Sequence, residues 1–328
     1  MKKKDMIKMT KEEIILSLIQ KNKTLEEIIS FSGLSISEIK KVLNRLSNKG
    51  HSISRKYFYD GEIQYGIDNI NNDYPIITSS ISNELEFMVI SDLHLGSIYE
   101  NQRLLNTIYD YCAKNNIHII INCGDLVEGD VNKLNIKIPP IKQLSHALRV
   151  YPISQDIINY LLLGNHDYSL LTKYQINLMD LIKERREDFI PIGYGEGKIF
   201  IKSDYIVIQH PLIEKSKPLG IYNKAVIIKG HGHAAKINYD SSNLIIYCPS
   251  LSKLNLYKSS FPGAIDLKIK MKRGIIEQVY IEELSFINSK MFTTNEINIH
   301  VGKNKCFKES NLILNEEEYP KILRKEIK

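Results

Sequence analysis

Residues 161–167, Leu-Leu-Leu-Gly-Asn-His-Asp, join an apolar run to a turn that carries three different polar groups. The run 157–163 shows no polar alternation, which is typical of a strand covered on both faces, and its closing glycine allows a sharp turn. The turn then presents the amide of Asn165, the imidazole of His166 and the carboxylate of Asp167. These groups suit an oxygen-donor ligand, a proton-transfer group and an orienting partner, respectively.

Four other apolar runs also end in groups that can bind a metal. The side chains that follow these runs are, in chain order, Asp92 and His94, then Asp125, then His210, then His231 and His233. The carboxyl ends of strands in a layered α/β sheet open onto a common crevice, so we expect these groups to meet despite their separation in sequence. Each residue alone has an ordinary structural explanation, whereas the full set predicts a metal centre.

The composition is that of a soluble globular protein with about two domains: 328 residues, of which 43% are hydrophobic and 25% charged. No stretch approaches the roughly 20 apolar residues of a membrane span. The Lys-rich start leads into a polar helix rather than a signal peptide, so we expect a cytoplasmic protein without membrane association. The four cysteines lack CxxC spacing, which argues against disulfides and against a thiolate zinc site.

Residues 1–68 have the pattern of three helices followed by a β-hairpin. Each helix start matches a capping box, in which a hydroxyl and a carboxylate three residues later satisfy free backbone amides. The three pairs are Thr10 with Glu13, Thr24 with Glu27, and Ser35 with Glu38. Two short strand patterns then flank an Asp-Gly turn. This arrangement resembles a winged helix-turn-helix domain.

The winged-helix resemblance implies DNA as a partner, with the third helix in the major groove and the hairpin on the backbone. Residues 1–70 hold 13 Lys and Arg against 9 Asp and Glu, which is compatible with such a role. The residues expected to contact DNA are Lys40, Lys41, Arg45 and Lys49 on the helix, with Arg55 and Lys56 on the wing. Three acidic residues, Glu26, Glu27 and Glu38, dilute this basic face, so contact with another protein or domain is the alternative.

Beyond this module, residues 69–83 are rich in Asn and Ser and are expected to form a linker. Residues 84–286 alternate between strand and helix patterns, which predicts a layered α/β domain. We expect residues 287–328 to be a C-terminal extension, either a short appended element or a tail that binds a protein partner. The sequence indicates no oligomeric state.

The ordered set Asp-x-His, Gly-Asp, Gly-Asn-His-Asp, His and Gly-His-x-His resembles the calcineurin-like metallophosphoesterase superfamily over residues 86 to about 255. The Cys-Pro-Ser-Leu string at 248–251 is similar to the turn that follows the last ligand strand in that family. The resemblance implies a four-layer α/β/β/α sandwich, here preceded by the small winged-helix domain.

The resemblance also implies two divalent metal ions, manganese first, with iron or zinc as the other choices. By position, one metal is held by Asp92, His94, Asp125 and His233, and the other by Asp125, Asn165, His210 and His231. Such sites hydrolyse phosphoesters by in-line attack of a hydroxide that the two metals share. His166 is then a general acid or a stabiliser of the transition state, and Asp167 is expected to hold its ring.

The substrate is less defined. The segment after Asp125, Leu-Val-Glu-Gly-Asp, lacks the Asp-Arg pair of serine/threonine phosphatases and the extra histidine of double-strand-break repair nucleases. The strings at 91–97 and 124–129 look more like the exonuclease subunit of archaeal family D DNA polymerase and like phage phosphoesterases. His146 and Arg149 lie where the family places substrate-contacting insertions.

Fusion of a DNA-binding module to a phosphodiester-cleaving centre makes a DNA nuclease or DNA-end-processing enzyme the first hypothesis. The second is a phosphatase or phosphodiesterase that acts on small nucleotides or phosphoproteins, with the winged helix contacting protein. The third is a DNA-binding regulator without catalysis, although the intact ligand set argues against it.

Overall fold

The computed structural model of the chain describes residues 9–48, 53–57, 63–67, 76–77, 83–201, 203–212, 222, 225–239, 243–253, 261–287, 290–301 and 307–309. The helices are α1 (Lys11–Ile19), α2 (Leu25–Ser32), α3 (Ile36–Asn48), α4 (Gln102–Asn115), α5 (Pro140–Val150), α6 (Asn165–Tyr174) and α7 (Leu178–Arg185). Among the described residues, no helix is both long enough and apolar enough to cross a membrane.

The strands fall into three sheets, whose members are as follows. They are β1 (Ile53–Tyr57), β2 (Ile63–Ile67), β3 (Ile76–Ile77), β4 (Glu84–Ile90), β5 (Ile119–Cys123), β6 (Ile158–Leu163), β7 (Phe189–Tyr194), β8 (Glu196–Ile201), β9 (Asp204–Gln209), β10 (Ala225–Lys229), β11 (Lys236–Tyr239), β12 (Asn243–Tyr247), β13 (Gly263–Lys272), β14 (Ile275–Ile287), β15 (Lys290–Val301) and β16 (Phe307–Glu309).

The N-terminal unit consists of α1 to α3 and the antiparallel pair β1 and β2. All three predicted capping boxes are present; at α3, for example, the Ser35 amide donates to Glu38 and the Glu38 amide donates back to the Ser35 hydroxyl. Helix side chains such as Ile15 and Ile39 form a separate core with Tyr65 of the hairpin. The predicted three helices and hairpin are therefore present, while the winged-helix assignment stays a prediction.

The larger unit contains two sheets. The first has the strand order β16-β15-β14-β13-β4-β5-β6-β7, in which β4 to β7 run parallel and β13 to β16 extend the sheet with antiparallel strands. The second has the order β11-β12-β10-β9-β8-β3, with β9, β10 and β12 parallel. The parallel strands of each sheet deliver their carboxyl ends to one edge.

The two sheets pack face to face, and helices cover the outer face of the first. Alternate residues of each strand explain this: Phe87 and Val89 of β4 face Ile206 and Ile208 of β9 in the core between the sheets. Met88 and Ile90 of the same strand pack against the helical layer. The uninterrupted apolar runs were thus correctly predicted to be covered on both faces.

The described residues show three of the four predicted layers. The outer face of the second sheet carries a small apolar cluster of strand residues with Tyr222. In the described part of the chain, no helix joins that cluster. The mixed α/β layered fold is confirmed.

Two segments assigned to connections take part in the sheets. Residues 76–77, within the predicted linker, pair in parallel with β8. Strand β15 pairs along the length of β14 and buries Ile299 in the core between the sheets. The expected boundary between residues 286 and 287 therefore falls inside a β-hairpin, because residues 290–301 complete the apolar face that β14 leaves open. Residues 310–328 lie outside the described part.

Candidate metal centre

Seven side chains converge where the carboxyl ends of the two sheets meet. The first sheet supplies Asp92 and His94 after β4, Asp125 after β5, and Asn165 after β6; the second supplies His210 after β9, with His231 and His233 after β10. Three groups of potential ligand atoms each lie within 4.8 Å of one another. These groups are Asp92 with His94 and His233, His94 with Asp125 and His166, and Asp125 with His210 and His231.

The distances divide the site into two overlapping halves. In one half, His233 Nε2 lies 3.2 Å from Asp92 Oδ1, and His94 Nε2 lies 3.9 Å from both Asp92 Oδ1 and Asp125 Oδ2. In the other half, His210 Nε2 lies 3.1 Å from the same Asp125 Oδ2. The Asp125 carboxylate therefore stands between the halves, as expected of a bridging ligand.

The amide of Asn165 completes the second half. Its Oδ1 lies 3.2 Å from His210 Nε2 and 3.1 Å from His231 Nδ1. One amide oxygen thus faces two imidazole nitrogens from the other sheet. The structure brings together all seven residues that the sequence assigned as ligands.

The backbone is left-handed at five of these seven residues. Their φ angles are 53° at Asp92, 48° at His94, 54° at Asp125, 74° at His231 and 59° at His233. Such a conformation is uncommon outside glycine, although Asp and His are among the residues that adopt it more readily. It lets side chains two residues apart turn toward one point, and strain of this kind concentrates at functional sites.

Neighbouring groups fix the direction of the ligand atoms. The Nδ1 of His210 lies 2.7 Å from the carbonyl oxygen of Cys123, which can only accept, so Nδ1 carries the proton and Nε2 is left for a ligand role. The Asp92 Oδ2 accepts from the Ser91 hydroxyl at 2.5 Å and from the His231 amide at 3.0 Å. Asp92 Oδ1 therefore faces the site.

The electrostatics hold the carboxylates ionised. Burial raises the pKa of Asp92, but the adjacent His233 and His210 outweigh it and lower that pKa below its usual range. Burial acts in the same direction on Asp125, where His210 and His166 reverse it. These groups are acceptor-rich and negatively charged, which is the state that binds cations.

A test of metal fit comes from buried atoms that lack a partner. Among the described residues, Asp92 Oδ1 and His94 Nε2 are buried with no hydrogen bond, although both belong to groups of converging ligand atoms. An orphaned buried polar atom is costly, and a cation would satisfy both. The donor set of imidazole, carboxylate and amide suits manganese, iron or zinc. The residues therefore fit two divalent cations.

His166 lies beside these groups, at the start of α6. Its amide donates to Asp125 Oδ1 at 2.9 Å, and its Nδ1 donates to the carbonyl oxygen of Glu128 at 2.6 Å. Its side chain is 15% exposed and its ring packs edge-to-face on His94, with centroids 4.5 Å apart. Burial lowers the pKa of His166, but Asp125 and Glu128 outweigh it and raise that pKa overall. Nε2 is the ring nitrogen left to exchange a proton with a bound molecule.

The expected role of Asp167 is wrong. Its carboxylate is fully buried and accepts three backbone amides, from Gly164 at 2.8 Å, Val127 at 2.9 Å and Leu126 at 3.1 Å. The ring of His166 is held instead by the carbonyl of Glu128. Because the carboxylate sits at the third position of α6, it turns back to cap the helix start, and so it fixes the loop that carries Asp125.

The two predicted substrate residues take different positions on α5. His146 is buried, and its Nε2 lies 2.7 Å from Glu100 Oε2, so its ring is occupied by an internal ion pair. Arg149 is exposed, with Nη2 3.3 Å from His146 Nδ1. The structure favours a structural role for His146 and leaves Arg149 as a prediction.

The predicted DNA-contact residues lie in the N-terminal unit. Lys40, Lys41 and Arg45 are exposed on α3, and Arg45 Nη1 lies 3.9 Å from Glu12 Oε1. Lys49 lies outside the described residues. Arg55 and Lys56 belong to β1, and their side chains are also outside the described part. The DNA role of all six residues stays a prediction.

Sequence reasoning missed Glu128. This residue is fully buried, and Oε2 lies 3.0 Å from His94 Nδ1, although the angle falls short of a hydrogen bond. Its Oε1 lies 3.8 Å from His166 Nδ1. The available signal was an acidic residue inside the apolar segment that follows Asp125, since an unpaired carboxylate is rarely buried without a partner.

Comparison with known proteins agrees with this geometry. Residues 85–247 match the family model of the calcineurin-like phosphoesterases. All of the strand ends that supply the metal centre, from β4 to β10, lie within this calcineurin-like phosphoesterase domain.

Similar proteins include an uncharacterized metallophosphoesterase of Helicobacter pylori, which is 22% identical over 196 residues, 55% of this chain and 52% of that protein. The chain thus spans about half the length of the curated relatives it matches. Similar structures include Yfce, a phosphoesterase from E. coli (TM-score 0.41, 14% identity, 65% of this chain and 98% of that one). Vacuolar Protein Sorting 29 from Cryptosporidium parvum has a TM-score of 0.41 and 10% identity, over 66% of this chain and 98% of that one.

Proposed function

We propose that this protein hydrolyses phosphodiester bonds with the aid of two divalent metal ions, and that its substrate is DNA. The observation that carries the proposal is the convergence of buried carboxylate, amide and imidazole donors, with His166 beside them and directed by a backbone carbonyl. A phosphoester is the substrate that such a constellation suits, since charge develops on non-bridging and leaving oxygens during displacement at phosphorus.

Two sets of residues would hold the metals. Asp92, His94 and His233 belong to one, Asn165, His210 and His231 to the other, and Asp125 to both. When bound, the cations lower the pKa of water and neutralise charge on the phosphoryl oxygens.

The chain itself supplies orientation and a proton. His166 donates the Nε2 proton to the leaving oxygen as the phosphorus–oxygen bond breaks, and water provides the oxygen that replaces it. The Glu128 carbonyl holds Nδ1 so that Nε2 faces the site. The amide of His166, bonded to Asp125 Oδ1, fixes the distance between the acid and the metal-binding carboxylate.

Support for DNA comes from the N-terminal unit. Lys40, Lys41 and Arg45 expose three cationic side chains along one helix next to a small hairpin domain. Capture of phosphates by such a surface would raise the local concentration of a DNA strand and would weaken steeply with salt.

A smaller phosphoester is the alternative substrate. Arg45 lies near Glu12, and Lys11 Nζ lies 2.7 Å from Glu38 Oε1, so acidic side chains partly neutralise the N-terminal unit. In this case the N-terminal unit would contact protein, and the catalytic centre would be unchanged.

The test compares manganese-loaded protein on labelled single- and double-stranded DNA with its action on bis-p-nitrophenyl phosphate. His166→Asn is the catalytic variant. His118→Asn is the matched control, because His118 is exposed and bonded to the Asp156 carbonyl near the amino-terminal end of β5. We expect His166→Asn to keep its metal content and lose turnover of both substrates, while His118→Asn resembles the wild type.

The outcomes separate the two substrates. Cleavage of DNA that falls with salt and with Lys40→Ala/Lys41→Ala, but not with Lys183→Ala on α7, supports the nuclease. Turnover of the small ester alone refutes DNA as substrate and keeps the metal chemistry. Loss of metal from His166→Asn would contradict the assignment of His166 as an acid.

A further inference from the structure

Two loops beside the metal centre expose aliphatic side chains to solvent. Leu134 is 88% exposed, Ile98 is 53% exposed and Val131 is 49% exposed. We call these three residues the apolar lip. Exposure of a single aliphatic side chain is ordinary, but three on adjoining loops near a catalytic centre indicate a binding surface.

Backbone hydrogen bonds join the two loops that carry the lip. The Ile98 amide donates to the carbonyl of Asn135 at 2.9 Å, and the amides of Lys137 and Ile138 donate to the Gly96 carbonyl at 2.9 and 2.8 Å. Leu134 itself sits in a short 3-10 turn, where its amide donates to Asn132 Oδ1 at 3.2 Å. The lip is thus presented by ordered backbone.

The base of the lip is continuous with the catalytic residues. Glu128, whose carbonyl accepts from His166, directly precedes the loop, and the Gly129 amide donates to Gln143 Oε1 at 2.7 Å. The Asp130 amide donates to the Ser169 hydroxyl on α6 at 2.8 Å. A molecule seated at His166 would therefore meet the lip as it extends from the site.

Exposed lysines flank the apolar side chains. Lys133 adjoins Leu134, Lys137 closes the same loop, and Lys142 lies in the first turns of α5. Lys137 pairs with Glu100 at 2.9 Å, whereas among the described residues Lys133 and Lys142 have no ionic partner. The surface around the lip is therefore complementary to a chain of phosphates.

We propose that the apolar lip is a wedge for the end of a nucleic-acid duplex, with Leu134 inserting at the terminal base pair. This inference rests on the proposed function, since it names how DNA would enter that site. Aliphatic side chains lack a ring on which a base could stack, but they do insert between base steps and unstack them. The flanking lysines would hold the backbone of the strand that proceeds to His166.

The experiment measures initial cleavage rates of a blunt duplex, of the single strand with the same sequence, and of bis-p-nitrophenyl phosphate, all with the manganese-loaded full chain. The variant is Leu134→Ser. The matched control is Ile153→Ser, because Ile153 is 74% exposed in the loop that precedes β6, at the opposite end of that strand from the site. Ile98→Ser serves as a second lip variant.

We expect Leu134→Ser to slow duplex cleavage by about tenfold or more, since the wedge would offset part of the unstacking cost. Single-strand cleavage and ester hydrolysis should stay within about twofold of the wild type, because they need no unstacking. Ile153→Ser should change none of the three rates.

Three results would overturn the wedge. One is an equal loss on duplex and single strand, and another is no loss on either. The third is binding to phosphatidylserine vesicles that depends on Leu134 while DNA cleavage does not, which would make the lip a membrane contact. Failure of the wild type on DNA, with ester hydrolysis intact, refutes the nuclease itself and is visible before any variant is compared.

Discussion

Substitution of Glu128 tests whether a buried carboxylate outside the ligand set controls the metal centre. Glu128 Oε2 lies 3.0 Å from His94 Nδ1, on the far side of the imidazole from the metal-facing Nε2. A carboxylate in this position makes the ring a better electron donor and fixes its orientation. We expect Glu128→Gln to keep an oxygen acceptor without the charge, and Glu128→Ala to lose both.

The magnitude follows from that geometry. Loss of a group that orients a metal-ligating histidine reduces metal affinity by about 10- to 100-fold, which is about 1.4–2.8 kcal/mol. Glu128→Gln should fall near the lower end and Glu128→Ala near the upper end. Because Oε1 is also 3.8 Å from His166 Nδ1, turnover at saturating metal should fall as well, through a weaker hold on the acid.

The assay is calorimetric titration of the metal-free protein with manganese, followed by initial rates at saturating manganese. Glu184→Gln is the control, since Glu184 is an exposed carboxylate on α7. Manganese affinity of Glu128→Gln and Glu128→Ala equal to that of the wild type would refute the reasoning, because it would mean that the buried charge has no influence on His94.

Three further predictions concern packing and charge. Gly164→Ala should abolish metal binding while the fold is kept, because the added methyl would meet Asp125 Oδ1 and lie 2.7 Å from His210 Nε2; elemental analysis measures this. Arg186→Met should destabilise the protein by about 3–5 kcal/mol in urea unfolding, because it strands Asp188, which now receives two bonds of 2.6 Å. Asp266→Asn should stabilise the protein at pH 8 but not at pH 4. Burial and the nearby Glu86 raise the pKa of Asp266 to about 7, so the folded state holds a proton that the unfolded state has lost, and stability falls as pH rises through 7. Solvent screening reduces this gain to about 1–2 kcal/mol.

Matched variants accompany these predictions. Gly232→Ala lies between two of the ligand histidines, yet its methyl would meet nothing within 4 Å, so its metal content should be normal. Arg185→Met changes the exposed neighbour of Arg186 and should leave stability within about 0.5 kcal/mol. Normal metal content in Gly164→Ala, an unfolding curve of Arg186→Met that coincides with that of Arg185→Met, or an Asp266→Asn gain that is the same at pH 4 and pH 8 would each contradict the stated cause.

The sequence predicted the ligand set because chemistry and spacing agreed at each position. A strand covered on both faces leaves its first polar residues at the carboxyl end, and parallel strands bring those ends to one edge. Asp92, Asp125 and His210 could therefore be placed together without any knowledge of the loops between them. The three capping boxes were predictable for a similar reason, since both partners lie within four residues.

The errors arose where a contact depends on three-dimensional proximity alone. Asp167 follows His166 in sequence, which favoured a pair between them, but the helix start at α6 turns the carboxylate back onto backbone amides. Glu128 reaches His94 across two loops whose pairing no sequence periodicity records. The hairpin of β14 and β15 was assigned to a tail because the alternation of β15 is interrupted by polar residues on its exposed face.

The origin of the ligands has a consequence for how the domain holds together. Asp92, Asp125 and Asn165 come from one sheet, whereas the remaining imidazoles other than His94 come from the other. Cations bound between them would act as a removable cross-link between two layers that otherwise adhere through apolar packing. Because such ions bind the folded state preferentially, their concentration would set how tightly the layers are joined. Supply of metal would thus regulate the mechanical integrity of the sandwich along with its chemistry.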